Sequence, residues 1–271
     1  MSMSVSTEIL SSLAYAERVG LCATEQMQRD HYDRIADAYE AHYGDAPSRE
    51  YRRRFIYQLM FDGMELNDMN VLDAMCGSGH TTEYLVARGA QVVGLDISPQ
   101  EIQRFRNRSP KTAVVCRSLL DSKLDSESFD CVAVVGGLHH LHPHLDAAVA
   151  EIHRILKPGG YFCFMEPHSG SIPDLVRRFW YQFDPLFSDN EAAIDFASLQ
   201  SAFKNNFVFN RITYRGNLAF LFVLNSLIFR MPAPIKSAYS PILMALEGII
   251  NKLQNKLTAC FAVGQWQKKI E

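Results

Sequence analysis

The sequence has no Cys-x-x-Cys pair, no large excess of either charge and no apolar run long enough to cross a bilayer. Each absence removes a class of function. Its six cysteines, at 22, 76, 116, 131, 163 and 260, are dispersed. Structural zinc sites take their ligands from closely paired cysteines and histidines, so the pattern predicts a reducing, cytoplasmic compartment and no structural metal. A formal charge of −3 gives no field that would draw in nucleic acid; affinity for a phosphate backbone would need a local basic patch. The longest apolar stretch, Leu218 to Met231, is interrupted by Asn225 and Arg230 and falls short of the ~20 residues of a spanning helix. No basic-then-apolar leader opens the sequence, and repeats and low-complexity segments are absent. At 271 residues, 48% of them hydrophobic, the chain is long for one domain and short for two. One domain with embellishments is expected.

What is present begins with Val71-Leu72-Asp73-Ala74-Met75-Cys76-Gly77-Ser78-Gly79-His80. An apolar run carries an acid near its end, two glycines follow, and Thr81-Thr82 open a helical pattern, which reads as strand, tight turn and helix start. Gly77 and Gly79 remove Cβ atoms where backbone must turn and lie close to a ligand. A dinucleotide site would want a third glycine where Thr82 stands, and glycines that merely form a turn are the plainer alternative. Asp73 would repel phosphate yet could meet an amine. Past it, Gln91-Val92-Val93-Gly94-Leu95 ends in Asp96, an acid placed to suit the two hydroxyls of a ribose. An acid for an amine together with an acid for a ribose fits S-adenosyl-L-methionine (SAM) better than a nicotinamide dinucleotide.

Further segments follow in order: Gly94-Leu95-Asp96-Ile97-Ser98, Ser128-Phe129-Asp130, and Glu151-Ile152-His153-Arg154-Ile155-Leu156-Lys157-Pro158-Gly159-Gly160. With the glycine turn they resemble the class I SAM-dependent methyltransferases, in particular the UbiE/small-molecule branch, over residues 30–167. The resemblance implies an α/β fold, a Rossmann-like doubly wound seven-stranded sheet, mostly parallel with the last strand antiparallel, under an N-terminal helical lid. It implies SAM as cofactor, S-adenosyl-L-homocysteine (SAH) as product and a small-molecule acceptor. Met75 stands where the family usually has glycine. At the exit of the third strand an acid of the family that would receive the adenine amine aligns with Ser118, whose hydroxyl can also accept, with the Leu119 N–H beside it. Tyr32, on a helix of the Tyr-Asp-x-x-Ala-x-x-Tyr type, is the candidate for the methionyl end. Cofactor contacts are therefore expected at Tyr32, Asp73, Met75, Gly77, Gly79, Asp96, Ile97, Ser118, Leu119 and Gly136.

The remaining pattern divides the chain into a helical lid over residues 1–66, a SAM-binding core over 67–216, an apolar insertion over 217–257 and a final strand over 258–271. Residues 5–29 read as a first helix. Tyr32, Ala36, Tyr39 and Tyr43 share one helical face, which by spacing alone is a helix stapled to a core. Tyr51 to Leu66 reads as another helix whose Arg52-Arg53-Arg54 run is a solvated face. Strands are expected at 112–116, 130–135, 161–165, 207–214 and 258–266, with helical, aromatic-rich sequence from 167 to 205. In the insertion, Ser240-Pro241 opens a helix with an N-cap and proline at its first position. The insertion is a cover for the sheet edge or a homodimer contact on one reading. On the other it roofs an apolar acceptor pocket, or 218–231 lies on a membrane where a lipid-linked acceptor is met.

Ligands of open parallel sheets bind beyond the carboxyl ends of the strands, so Gly136-Gly137-Leu138-His139-His140-Leu141-His142-Pro143-His144 faces the reacting centre. Methyl transfer from a sulfonium is an in-line displacement with an activated leaving group. The protein aligns the acceptor, excludes water and, for a hydroxyl, removes a proton. His139 and His140 are candidate bases, with His168 after the fifth strand as another; loop packing is the alternative for His140. The four histidines at 139, 140, 142 and 144 lack an acid or cysteine to complete a metal set, so no metal is expected. Methylation of a small apolar or amphiphilic metabolite is the leading expectation, on oxygen rather than nitrogen or carbon because of the histidines. A non-catalytic SAM-binding scaffold and a protein or nucleic-acid methyltransferase are the rivals. The last is disfavoured because Gly136-Gly137-Leu138-His139 replaces the Asn/Asp-Pro-Pro-aromatic segment of amino-methylating DNA enzymes.

Overall fold

The computed structural model describes residues 23–181, 183 and 192–270. The expected helix over 5–29 therefore lies largely outside the described residues, as does Cys22. Seven strands form one sheet in the order β3-β2-β1-β4-β5-β7-β6. They are β1 (Asn70–Ala74), β2 (Gln91–Asp96), β3 (Ala113–Cys116), β4 (Phe129–Val135), β5 (Leu156–Pro167), β6 (Phe207–Arg215) and β7 (Phe261–Lys268). The first five pair in parallel, and β7 runs antiparallel to both β5 and β6. The expected doubly wound α/β sheet with an antiparallel last strand is what the chain forms.

Strands buried on both faces need apolar residues at successive positions rather than at alternate ones. In β4, Val132 and Val134 join one core layer with Leu72, Phe162, Phe164 and Trp266. Cys131 and Ala133 join the opposite layer with Val71, Cys163 and Val263. The cysteines in these runs are small core hydrophobes. Helices α3 (His80–Ala87), α4 (Pro99–Arg108) and α5 (Leu145–Ile155) connect the parallel strands. Beyond β5, α6 (Ile172–Tyr181) and α7 (Phe196–Ala202) occupy the aromatic-rich region.

Above the carboxyl ends of the strands lie α1 (Ala23–Tyr43) and α2 (Ala46–Arg52), the latter running on through a π-helical turn, Arg53–Tyr57, to Gln58–Met60. Asp45 caps α2 by accepting the Ser48 N–H at 2.9 Å, with Pro47 in the first turn. The Arg52-Arg53-Arg54 run is not a uniform solvated face. Arg53 and Arg54 are exposed, but Arg52 is buried and donates to the Tyr43 carbonyl at 2.6 Å.

Between β6 and β7 the insertion contributes a π-helical segment, Phe220–Leu224, and α8 (Ala233–Ile250). The expected helix start at Ser240-Pro241 is corrected. The helix begins seven residues earlier, Pro234 occupies its first turn where a missing N–H costs nothing, and Pro241 lies inside it. Two buried charges of α8 hold it to the lid. Lys236 donates to the His42 carbonyl at 2.6 Å and the Ser48 hydroxyl at 2.7 Å, and pairs with Asp45 at 2.9 Å. Glu247, fully buried, accepts the Tyr51 hydroxyl at 2.7 Å and the N–H groups of Asn217 and Ala219 at 3.0 and 2.9 Å. Replacing Glu247 by leucine strands those three donors. Urea unfolding is expected to show a stability loss of about 2–4 kcal/mol; an unchanged midpoint would contradict the latch.

Candidate functional site

The site grows from the end of β1. Asp73 is buried, accepts the Thr82 hydroxyl at 2.6 Å, and is pushed up to about 7 by burial against the pull of the Thr82 hydroxyl and N–H. Thr82, standing where a dinucleotide motif has glycine, thus holds the acid in place. Met75 follows in the left-handed region with φ 56°, which explains why glycine is the usual residue there. Such a conformation costs about 1–2 kcal/mol for a residue with a side chain. A compensating gap lies across the sheet, since a Cβ on Gly137 would sit 2.8 Å from the Met75 sulfur. Gly77 and Gly79 take φ 50° and 89°, and Gly79 leaves room for the Phe105 ring, 2.8 Å from where its Cβ would be.

At the end of β2, Asp96 captures the turn. Its Oδ2 accepts the Gly77 N–H at 2.8 Å and its Oδ1 the Ser98 N–H at 2.9 Å. Burial raises its carboxyl even so. Each oxygen keeps a lone pair for a ligand hydroxyl. Beyond β3, Ser118 caps the helical turn Leu119–Asp121 through the Leu120 N–H at 2.9 Å and donates to Glu25 of α1.

An acidic row on α1 ties the lid to this rim. Besides Glu25, Asp33 accepts the Ser98 hydroxyl at 2.5 Å, and Asp37 accepts Arg104 at 2.7 Å. Glu40 accepts the Ser78 hydroxyl at 2.8 Å, faces His80 Nε2 at 3.3 Å and pairs with Arg108. Burial alone would raise the Glu40 carboxyl, but His80, Ser78 and Arg108 together bring it down to about 2. Tyr32 extends from the same helix to the loop after β4, its hydroxyl 3.0 Å from His140 Nε2.

Glu166, fully buried near the end of β5, organises that loop. Its Oε1 accepts the N–H groups of Gly137 and Leu138, both at 2.8 Å. Its Oε2 faces the His139 N–H at 3.4 Å and His139 Nδ1 at 2.8 Å. The rings of His139 and His140 pack with centroids 3.8 Å apart. Burial lowers both imidazoles, His139 to about 3 with help from the charges of Arg177 and His142, so both are neutral near pH 7.

These groups surround one continuous cavity of about 590 Å³. Tyr32, Asp73, Met75, Gly77, Asp96, Ile97, Leu119, Gly136, His139 and His140 all line it. Gly79 and Ser118 stand behind the wall, and Glu25 lines the cavity where Ser118 was expected. His168 is corrected as a candidate base. It does not line the cavity, and its Nδ1 and Nε2 face the carbonyls of Ser169 and Ala259 at 3.2 and 3.1 Å. Among the lining residues that the sequence did not reveal are Arg52, masked by its exposed neighbours in a charge run, and Glu25. Glu166, behind the wall, escaped it too. The signal for Glu166 was available, because it ends an apolar strand as Asp96 does. Among the described residues, no group of three or more His, Cys, Asp or Glu is arranged to hold a metal ion.

The far wall of the cavity is apolar. It is lined by Phe220, Leu221, Leu224, Leu227, Ile228 and Phe229 of the insertion and by Ile172, Val176 and Trp180 of α6, with the Trp180 and Phe229 rings 5.9 Å apart. Within 218–231, Leu218 and Arg230 are the well-exposed members, while Ala219, Val223 and Leu224 are buried.

A family model described as a methyltransferase domain matches residues 72–164. The chain is 35% identical over 117 residues to an uncharacterized methyltransferase of Synechocystis sp., covering 42% of this chain and 55% of that protein. It is 32% identical over 138 residues to the malonyl-[acyl-carrier protein] O-methyltransferase of Salmonella typhimurium, covering 47% of this chain and 52% of that one. The chain thus spans about half the length of the curated relatives it matches. In fold it is similar to the magnesium protoporphyrin IX methyltransferase of Synechocystis with bound SAH. The TM-score is 0.61 at 14% identity, covering 91% of this chain and all of that one.

The Glu40 clamp sets a pH dependence. A carboxyl held at about 2 when folded and near 4.5 otherwise stabilises the fold above pH 4.5, and that contribution is lost as pH falls towards 2. Glu40→Gln is expected to cost about 1–2 kcal/mol at neutral pH. The difference from wild type should shrink on acidification in thermal melts; a gap constant down to pH 3 would contradict the clamp.

Proposed function

We propose that this chain, a member of the class I SAM-dependent methyltransferases, methylates a hydroxyl of a small apolar or amphiphilic molecule. The observation that carries this reading is the single cavity that joins an acid-lined glycine turn to an apolar chamber, with two neutral histidines in its wall. The residues at its polar end fit SAM. Asp96 suits the ribose hydroxyls, while buried Asp73 and Arg52 supply the opposite charges that a methionyl amine and carboxylate need. The left-handed glycine turn lets backbone approach between them. The malonyl-[acyl-carrier protein] O-methyltransferase among the relatives also acts on oxygen.

When bound, SAM supplies a methyl group on a positively charged sulfur, which leaves with the electron pair of the broken C–S bond. The chain does the rest. Phe220, Leu224, Phe229 and Trp180 hold the acceptor and keep water out, so the oxygen lies in line with the carbon it attacks. His139 takes the hydroxyl proton as the O–C bond forms, its lowered proton affinity keeping the ring free at cellular pH. His140 is tied to Tyr32, so its part is to couple the lid to the loop. The inward-turned side chains of 218–231 favour the roof of an acceptor pocket over a membrane-lying patch.

Incubation with methyl-labelled SAM and fractionated lysate tests the reading. Label is expected in the organic-solvent extract, in a base-resistant methyl ether. Label confined to protein or nucleic acid, or no transfer at all, would overturn it. Asp96→Ala should weaken SAM binding in equilibrium dialysis by roughly tenfold or more, about 1.4 kcal/mol; a change under twofold would remove Asp96 from the ribose.

A further inference from the structure

Two helices of this chain are inside out. On α8 the charged side chains, Lys236 and Glu247, are fully buried, while Ile235, Ile242, Leu246 and Ile249 are exposed. Those four recur at i, i+7, i+11 and i+14, which is one stripe of the helix, and exposed Leu253 extends it just past the helix end. On α6 the acid, Asp174, is buried and pairs with Arg177 at 2.6 Å. Ile172, Leu175, Val176, Phe179 and Trp180 form the exposed stripe of that helix. Single exposed apolar residues are ordinary, but two whole stripes left in water are not. The two adjoin, because the Ile172 N–H donates to the carbonyl of Leu257, itself exposed, at 2.9 Å.

The charges bordering these stripes decide what covers them. Lys252 and Lys256 are exposed beside Leu253 and Leu257, and Arg178, which shares Asp174 with Arg177, stands exposed beside Phe179. Within 172–181 and 233–257 the acids are Asp174 and Glu247, and both are buried. A second copy would bring to this face the same cations and, from the same elements, no exposed acid to meet them. A bilayer with anionic headgroups offers what is missing: an acyl boundary for the stripes, negative charge for the cations, and the interfacial layer that tryptophan favours. We infer that the outer faces of α6 and α8 dock this protein on an anionic lipid bilayer. Ile172, Val176 and Trp180 belong to both surfaces, since they are exposed on this face and also line the apolar part of the cavity. Docking sets that end of the cavity against the lipid. The inference goes beyond the chemistry proposed above and is read without any methyl transfer.

The chain carries its own reporter. Of its two tryptophans, Trp180 lies on this face and Trp266 is fully buried in the core. Vesicles of phosphatidylcholine and phosphatidylglycerol in equal parts, brominated on the acyl chains, should therefore quench part of the wild-type fluorescence and none of that of Trp180→Phe. Wild type should also cosediment with unbrominated vesicles of the same mixture. Lys252→Gln/Lys256→Gln should lower its partition coefficient about thirtyfold, each lysine near an anionic surface contributing about a factor of five. Ile242→Asn/Leu246→Asn/Ile249→Asn, all at exposed positions, should lower it roughly tenfold or more while keeping the wild-type thermal midpoint. Failure of wild type to cosediment, cosedimentation without quenching, or undiminished partition of both variants would overturn the inference. A dimer in lipid-free sedimentation equilibrium that the triple substitution dissociates would also overturn it, assigning the face to a second copy.

Discussion

Carboxylates lodged at the strand ends hold the working surface of this protein in shape. Asp96 at the end of β2 grips the Gly77 N–H in the loop that follows β1, and Glu166 near the end of β5 grips the loop that follows β4. In each case an acid reaches across to the neighbouring strand's exit and accepts backbone donors that would otherwise need water. Loops are ordinarily the mobile part of a fold. Here the two that border the cavity are fixed by charge-assisted bonds inside a low-dielectric layer, where such bonds are strongest. Burial raises both of these carboxyls against the pull of the N–H groups they accept, Glu166 to about 8.

The covering elements form a second tier. Helix α1 is tied to the rim through Glu25, Asp33, Asp37 and Glu40, and the insertion is tied to α1 and α2 through Lys236 and Glu247. Further contacts of the same kind run from Tyr43 to Asn225 at 2.7 Å and from His42 to Ser226 at 3.1 Å. Lid and insertion therefore act as one cap in which a shift of either is felt by the other. The apolar part of the cavity is lined by the insertion and its polar part by α1 and the strand ends.

The seven strands in sequence and the places of Asp73, Gly77, Asp96 and His139 at strand ends or in the turns after them were legible because they rest on local signals: an apolar strand, a glycine turn and an acid at a strand tip. Long-range partnerships were not. Arg52 reads as one member of a solvated run, yet the backbone of α2 turns it under the Tyr43 carbonyl while its neighbours point to water. Lys236 and Glu247 look like the polar punctuation of an amphipathic helix, and only the fold shows that their partners lie some 190 residues earlier. The start of α8 was misread because Pro232-Ala233-Pro234 resembles a break, whereas proline is at ease in a first turn. His168 sits beyond a strand end as a base would, but tertiary packing turns its ring toward carbonyls.

The central claim is that the polar half of the cavity is shaped for an adenosyl amino acid before any acceptor arrives. Calorimetric titration of the wild-type protein with SAH addresses it without knowledge of the acceptor. The account predicts saturable heat with one site per chain and a dissociation constant in the micromolar range, about −8 kcal/mol. A titration with no heat for SAH, repeated with SAM and across temperature to exclude a thermoneutral coincidence, would contradict it.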